Sequence, residues 1–289
     1  MLSRPYVCVL SSFAIAGSLV STARAVGTVY AIDLLEPGPG RLLTFPANAP
    51  AEHVVAESAQ VFRGYGMDFD STATTLYGID SGRRQFGTID QTTGAFTVIG
   101  PIPSLGTEIW NDLVIAPDNT FYAVLGSGLA PDDAVNRIYR VNPATGEPTL
   151  LSTLTLTDGR IIDVAIDANG NWFGNDFDRD VLVAIDPYTG VTTDIGPTGV
   201  NSQFAQGMDF DWTTNTLYTT MFTGTGVTLT SVYASIDTTT GAATTIASTT
   251  AWQAEMEMAV KSPIPEPAGL SMIALAANGR LARRRRSPV

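Results

Sequence analysis

One short pattern is written four times in this chain. Val183-Ala-Ile-Asp-Pro-Tyr-Thr-Gly-Val-Thr-Thr-Asp-Ile-Gly196 is an apolar run, a turn from Asp186 to Gly190, and a second run rich in β-branched residues. Residues 87–100, 139–146 and 234–241 repeat it. An Asp or Asn at the head of such a turn can accept a bond from the backbone two residues on, and the Gly four residues later supplies the positive φ of a looped hairpin. The turn glycines are Gly94, Gly146, Gly190 and Gly241, spaced by 52, 44 and 51 residues. A recurrence of this length, with several strands per copy, points to a propeller or similar array.

Each copy closes a larger unit of four strands, spanning residues 67–99, 112–152, 162–195 and 208–246. Residues 256–260 repeat the opening strand of a unit, and residues 28–45 repeat the closing hairpin, with Asp33 in the turn-opening place. The body therefore begins with the last strands of a unit and ends with the first. Joining them closes a ring and removes exposed sheet edges. The expected fold is all-β, a five-bladed propeller over residues 26–262 closed by pairing its N- and C-terminal strands. Residues 46–62 are expected to be a connection with a helical turn around 52–59; strands hidden there would make six blades.

Charge is divided unevenly. Seven of the 16 basic residues (Arg4, Arg24, Arg280 and Arg283 to Arg286) lie in the terminal segments, leaving nine against 27 acids once Glu266 is set aside, a body near −18. Such a body repels nucleic acid and anionic surfaces. The single cysteine, Cys8, falls in the N-terminal segment, so the body has no thiol or disulfide chemistry, and the single histidine, His53, cannot build a histidine metal cluster. Ser and Thr are plentiful but have no base partner for nucleophilic catalysis.

Aligned on their first strands, the units place Asp68, Asp112, Asp163, Asp209 and Glu257 at one position, spaced by 44, 51, 46 and 48 residues. Two roles fit. The acids could ring a cation such as Ca²⁺, which takes several oxygen ligands, or each could latch its unit to the next by accepting backbone N–H bonds. Repetition favours the latch, because a site breaks the symmetry that architecture keeps. No other cofactor is expected. Propellers bind where outer-to-inner connections enter the channel. Those connections carry Arg63, Tyr65, Trp110, Asn111, Arg160, Gln203, Phe204, Trp252 and Gln253. Aromatic and amide groups together suit sugar or peptide faces, and a large aromatic at each unit junction also serves to pack neighbouring sheets.

Residues 1–25 have a basic start at Arg4, an apolar run and an Ala23-Arg-Ala25 cleavage pattern, the marks of a secretory signal cut after Ala25. At the other end stand Pro265-Glu266-Pro267, an apolar stretch at 268–277 and the arginine cluster 283–286. This tail, residues 263–289, resembles the PEP-CTERM sorting signal of bacteria. The resemblance implies recognition by an exosortase after passage through the secretion machinery, in an exopolysaccharide-producing, Gram-negative-type organism. Clustered arginines stay on the cytoplasmic side, although the apolar stretch is half the roughly 20 residues that a membrane span needs. The membrane is touched only through this tail. The body loosely resembles repeat propellers of the NHL or quinoprotein-like kind, without a matching cofactor ligand. The expectation is an exported envelope or extracellular-matrix module that binds carbohydrate or protein, or is purely structural. The competing expectation is a glycan-active hydrolase or lyase that uses channel carboxylates.

Overall fold

The repeated turns fold as their chemistry requires. In the computed structural model Asp90 Oδ1 accepts from the backbone N–H groups of Thr92 and Thr93 at 2.9 and 2.8 Å. Asn142, Asp186 and Asp237 accept in the same way from Ala144, Tyr188 and Thr239. Gly94, Gly146, Gly190 and Gly241 close the turns with φ between 69 and 80°, a region that side chains disfavour. At Gly190 there is also no room, since a Cβ would lie 2.0 Å from the Thr153 carbonyl oxygen.

The structure describes residues 26–33, 40–50, 53–58, 61–62, 64–103, 108–127, 135–156, 159–225, 228–249 and 256–262. The 1–25 signal with its Ala25 cleavage point, and the 263–289 tail with Pro265, Glu266 and Pro267, lie outside them. Among the described residues no helix is long and apolar enough to cross a membrane. They hold strands β1 (Thr28–Asp33), β2 (Gly40–Pro46), β3 (His53–Ser58), β4 (Met67–Phe69), β5 (Leu76–Asp80), β6 (Gln85–Ile89) and β7 (Phe96–Pro101). Next come β8 (Glu108–Ile115), β9 (Phe121–Ser127), β10 (Arg137–Val141), β11 (Pro148–Thr153), β12 (Ile161–Ile166), β13 (Trp172–Asp176), β14 (Val181–Ile185) and β15 (Thr192–Pro197). The last are β16 (Ser202–Asp211), β17 (Thr216–Thr225), β18 (Thr228–Ile236), β19 (Ala243–Thr249) and β20 (Met256–Lys261).

These strands form five four-stranded antiparallel sheets: β20-β1-β2-β3, β4 to β7, β8 to β11, β12 to β15 and β16 to β19. We number them sheets 1 to 5 in that order. β20 pairs with β1 along its whole length, from Thr28↔Lys261 to Asp33↔Met256. Neighbouring inner strands, β20, β4, β8, β12 and β16, contact one another around the ring. The body is a five-bladed propeller, and its first sheet is shared between the two ends of the chain.

Two expectations about sheet 1 are corrected. Residues 28–45 are not the third and fourth strands of a unit. β1 is the second strand and β2 the third, because β1 lies against β20. Residues 53–58 are not helical, and the 46–62 segment adds no sixth blade. They form β3, paired with β2 through Leu43↔Val54 and Gly40↔Ser58. The free edge of β2 needs a partner for its N–H and C=O groups, and that need outweighs the helix propensity of Ala and Glu.

Each seam between sheets holds an apolar cluster. Sheets 1 and 2 bury Ile32, Leu42, Phe69 and Leu76, and sheets 2 and 3 bury Ile79, Phe86, Trp110 and Phe121. Sheets 3 and 4 bury Tyr122, Val124, Val164 and Trp172, sheets 4 and 5 Leu182, Phe210 and Trp212, and sheets 5 and 1 Phe45, Tyr218, Tyr233 and Met258. One aromatic recurs on every second strand: Tyr30, Tyr77, Tyr122, Phe173 and Tyr218. Each lies opposite the third-strand residue two places before the end of that strand or its turn: Thr44, Thr88, Arg140, Ala184 and Ser235.

Candidate functional site

The channel carboxylates come from the inner strands, and all five are buried. They are not at one level. Measured against the recurring aromatic, Asp68 and Asp209 lie directly opposite Tyr77 and Tyr218. In the other sheets the residue opposite the aromatic is Ala259, Val114 or Ala165, two places after Glu257, Asp112 and Asp163. The acids therefore form two tiers, three nearer the mouth and two nearer the turns. The repeated spacing of the sequence concealed this offset.

Each acid bonds across its seam. Asp68 Oδ2 accepts from Ile115 N at 2.6 Å, Asp112 Oδ2 from Val164 N at 2.7 Å, Asp163 Oδ1 from Gly207 N at 3.1 Å and Asp209 Oδ2 from Val260 N at 2.6 Å. Glu257 accepts from the backbone of Gly66 and Met67. The chain of bonds runs from sheet 2 through 3, 4, 5 and 1 back to 2, the arrangement of a latch at every seam. Asp68, Asp112 and Asp209 also accept the N–H of the following residue. Only Asp163 Oδ2 and Glu257 Oε1 of the ring lack a donor. Among the described residues no three His, Cys, Asp or Glu side chains converge to hold a metal ion.

Burial without a cationic partner makes these groups weak acids. Desolvation pushes Asp163 and Asp209 up to about 7. Asp68, Asp112 and Glu257 are raised well above the usual carboxylate range by burial first, then by the charge of another ring acid, Asp209, Glu257 and Asp163 respectively. A buried carboxyl in this state keeps its proton to higher pH than an exposed one and, while protonated, can donate from a free oxygen. Asn175, buried on β13 with both amide atoms unpartnered, lies across from the β12 irregularity that contains Asp163.

Sequence reasoning missed the two glycines that position the ring. Gly66 and Gly207 head identical Gly-Met-Asp-Phe-Asp runs and have φ of 84 and 76°. A Cβ on Gly207 would lie 2.5 Å from Met258 N, and one on Gly66 2.4 Å from Leu113 N. Each glycine donates its N–H to the sheet behind and abuts the backbone of the sheet ahead. The duplicated five-residue run was the available signal.

The mouth residues do not form one surface. Trp110 is 1% exposed; its indole donates to the Ile102 carbonyl at 3.0 Å and its ring meets Tyr139 edge-on, so it packs a seam and offers no face to a ligand. Arg160 is held by Asp178 at 2.6 Å and lies 5.0 Å from the Phe177 ring. Asn111 Nδ2 reaches the Ile161 carbonyl of the next sheet at 3.5 Å, and Tyr65 is half-buried. Gln203 and Phe204 belong to β16, whereas Arg63, Trp252 and Gln253 lie outside the described residues. Asn136, which the sequence did not single out, clamps Ile161 by donating to its carbonyl at 2.8 Å and accepting from its N–H at 3.2 Å.

A family profile described as a repeat of unknown function (DUF6923) matches residues 66–228, more than half of the 289 residues. The chain belongs to the DUF6923 repeat family. The DUF6923 match begins at Gly66, the first ring glycine, and extends into sheet 5. No curated protein matches the chain. Among solved structures, the chain is similar to one from a nidogen/laminin complex, with a TM-score of 0.51 and 13% identity over 83% of this chain and 99% of that one. TolB from Acinetobacter baumannii gives 0.46 and 14% over 77% of this chain, which spans about half (53%) of the TolB chain. A gluconolactonase from Xanthomonas campestris gives 0.45 and 15%, over 77% and 76%. At these identities the likeness concerns the fold alone.

Proposed function

We propose that this DUF6923 protein is an exported, non-enzymatic module of the cell envelope or extracellular matrix that binds carbohydrate or a surface protein. The observation that carries the proposal is the use made of the channel acids. A glycosidase needs two carboxyls in different environments, roughly 5–10 Å apart and open to substrate. Here all five are buried, and each is engaged by the backbone of the next sheet. The export route rests on the signal-like 1–25 segment and the PEP-CTERM-like tail, which make exosortase and the secretion machinery partners in transit. The body's acidity disfavours nucleic acid.

A second reading, a glycan-active hydrolase or lyase, draws on Asp163 and Glu257, whose free oxygens set them apart from the other three. One experiment separates the two. The full chain is applied to a glycan array, and retained glycans are assayed for newly released reducing or unsaturated ends. Retention without release is the expected result. Release that disappears in Glu257→Gln establishes the enzyme, and silence on every glycan leaves only a protein partner or a structural role. Export is checked by the N-terminal residue of the secreted chain, expected to be Val26.

A further inference from the structure

Two side chains break the repeat, and they stand together. The first–second and third–fourth strand turns share one end of the ring, opposite the mouth. At the second place after the turn-opening Asp or Asn, the four turns carry Thr92, Ala144, Tyr188 and Thr239. Only Tyr188 is aromatic, and it is 66% exposed. Opposite the recurring aromatic, the third strands carry Thr44, Thr88, Arg140, Ala184 and Ser235. Only Arg140 is charged, and it is exposed. The Arg140 guanidinium lies 5.9 Å from the Tyr122 ring centre, and both Arg140 and Tyr188 lie close enough to the Tyr122 hydroxyl to act on it electrostatically. The seam needs Tyr122, as every seam has its aromatic. It does not need an arginine and a second tyrosine on the rim.

Among the described residues Arg140 differs from most of the arginines and shares with Arg84 the lack of an ion pair. Arg83, Arg137, Arg160 and Arg179 are each in ion-pair contact with a carboxylate. No such contact is made by Arg140 among the described residues; Asp118 acts on it only through space. In a body with three times as many acids as bases, that guanidinium keeps donors to spare. A groove beside it on sheet 3 is walled by Asn119, Asn142 and Glu147 over Phe121. Asn119 Oδ1 and Asn142 Oδ1 already accept backbone N–H groups, so both amides have N–H groups left to offer. A second groove, on sheet 4, is lined by Tyr188 with Asn171, Phe173, Asp186 and Thr238. Arg140 lines the first groove and Tyr188 the second, and both act on Tyr122, an arrangement that suits a chain of several sugars.

We propose that the Arg140–Tyr188 patch on the turn end binds a carboxylated pyranose within an acidic oligosaccharide. The guanidinium takes the carboxylate as a charge-assisted pair, the tyrosine ring covers an apolar sugar face, and the asparagine amides meet hydroxyls. Glu147, which lines the same groove, opposes a second anion, so one carboxylate is taken per site. This proposal rests on the binding reading above, but it moves the ligand to the end of the ring opposite the expected mouth.

Titration calorimetry with the full chain tests it, using tetragalacturonate and, as a neutral probe of equal length, maltotetraose. Tetragalacturonate is expected to bind the tighter, and Arg140→Gln to weaken it by about tenfold, the worth of one charge-assisted pair. Maltotetraose binding should be indifferent to Arg140→Gln, and Tyr188→Thr, the residue type of two other turns, should weaken both. Both positions are exposed, so unchanged melting of the variants separates lost contacts from lost folding. Equal tetragalacturonate affinity in wild type and Arg140→Gln overturns the proposal but leaves carbohydrate binding standing. Binding of neither sugar overturns it and leaves the protein-partner form of the broader reading.

Discussion

At the residue scale, the ring depends on groups whose usual preferences are reversed. Gly66 and Gly207 hold positive φ against neighbouring backbone. Gly207→Ala should therefore cost more than the roughly 1 kcal/mol of φ strain alone, seen as a lower urea midpoint, while Gly170→Ala, with φ 84° but open space, should cost less. Equal losses would remove the close approach from the account. Asp163 has a folded pKa raised by burial to about 7, above its unfolded value near 4. The native state then holds the extra proton between about pH 4 and 7. Stability from this group is fullest below the unfolded pKa and declines as pH rises through the folded one, by on the order of a few kcal/mol. Asp163→Asn keeps the acceptor for Gly207 N and carries no charge. Its stability should fall less between pH 5 and 8 than that of the wild type, in denaturant titrations at each pH. Parallel pH profiles would contradict a protonated Asp163.

At the element scale, the legible part was whatever carries a local signature. The Asx turns, the four strands per unit and the return of the opening strand at residues 256–260 are all read from short-range pattern, and β20 pairing with β1 follows from them. β3 was not legible. Its fourth-strand counterparts announce themselves through a turn before them, whereas β3 follows Pro46 with no such turn, and its pairing with β2 contains a register shift between Leu42 and Leu43 that breaks alternation. The same shift stands in every outer pairing, at Phe86/Gly87, Ile138/Tyr139, Leu182/Val183 and Tyr233/Ala234. Bulges at these edges twist the free strands away from pairing with another chain. The two-tier ring was hidden for a related reason: spacing between units counts residues and says nothing of cross-strand register. Deleting residues 256–260 strips sheet 1 of its inner strand and sheet 5 of the Val260 N–H that Asp209 accepts. The product should aggregate in size-exclusion chromatography; a soluble monomer with an unchanged melting midpoint would contradict closure.

At the scale of the whole molecule, five seams share one design. An apolar cluster with one recurring aromatic fills each gap, and one buried acid bridges it near the axis. Function has to be sought where this design is broken, which is why Arg140 and Tyr188 carry more than the five acids. Of the mouth residues, Trp110 was legible as a large aromatic at a junction that could serve either as a ligand platform or as seam packing; composition does not distinguish the two, and its burial decides for packing. The latches join each seam through backbone hydrogen bonds, and they are expected to hold the ring without a divalent ion. Dialysis against EDTA should leave the melting midpoint where it was, and a fall restored by Ca²⁺ would return the acids to the role of a cation site. Everything above requires that the two ends of the body meet in sheet 1. Thr28 and Lys261 are cross-strand partners there, and the chain's single cysteine, Cys8, lies outside the body. A Thr28→Cys/Lys261→Cys variant should form an intramolecular disulfide under mild oxidation and melt higher than its reduced form, because the bond closes a loop of nearly the whole body. Failure of the two thiols to pair within one chain, or pairing only between chains, would contradict the closed ring.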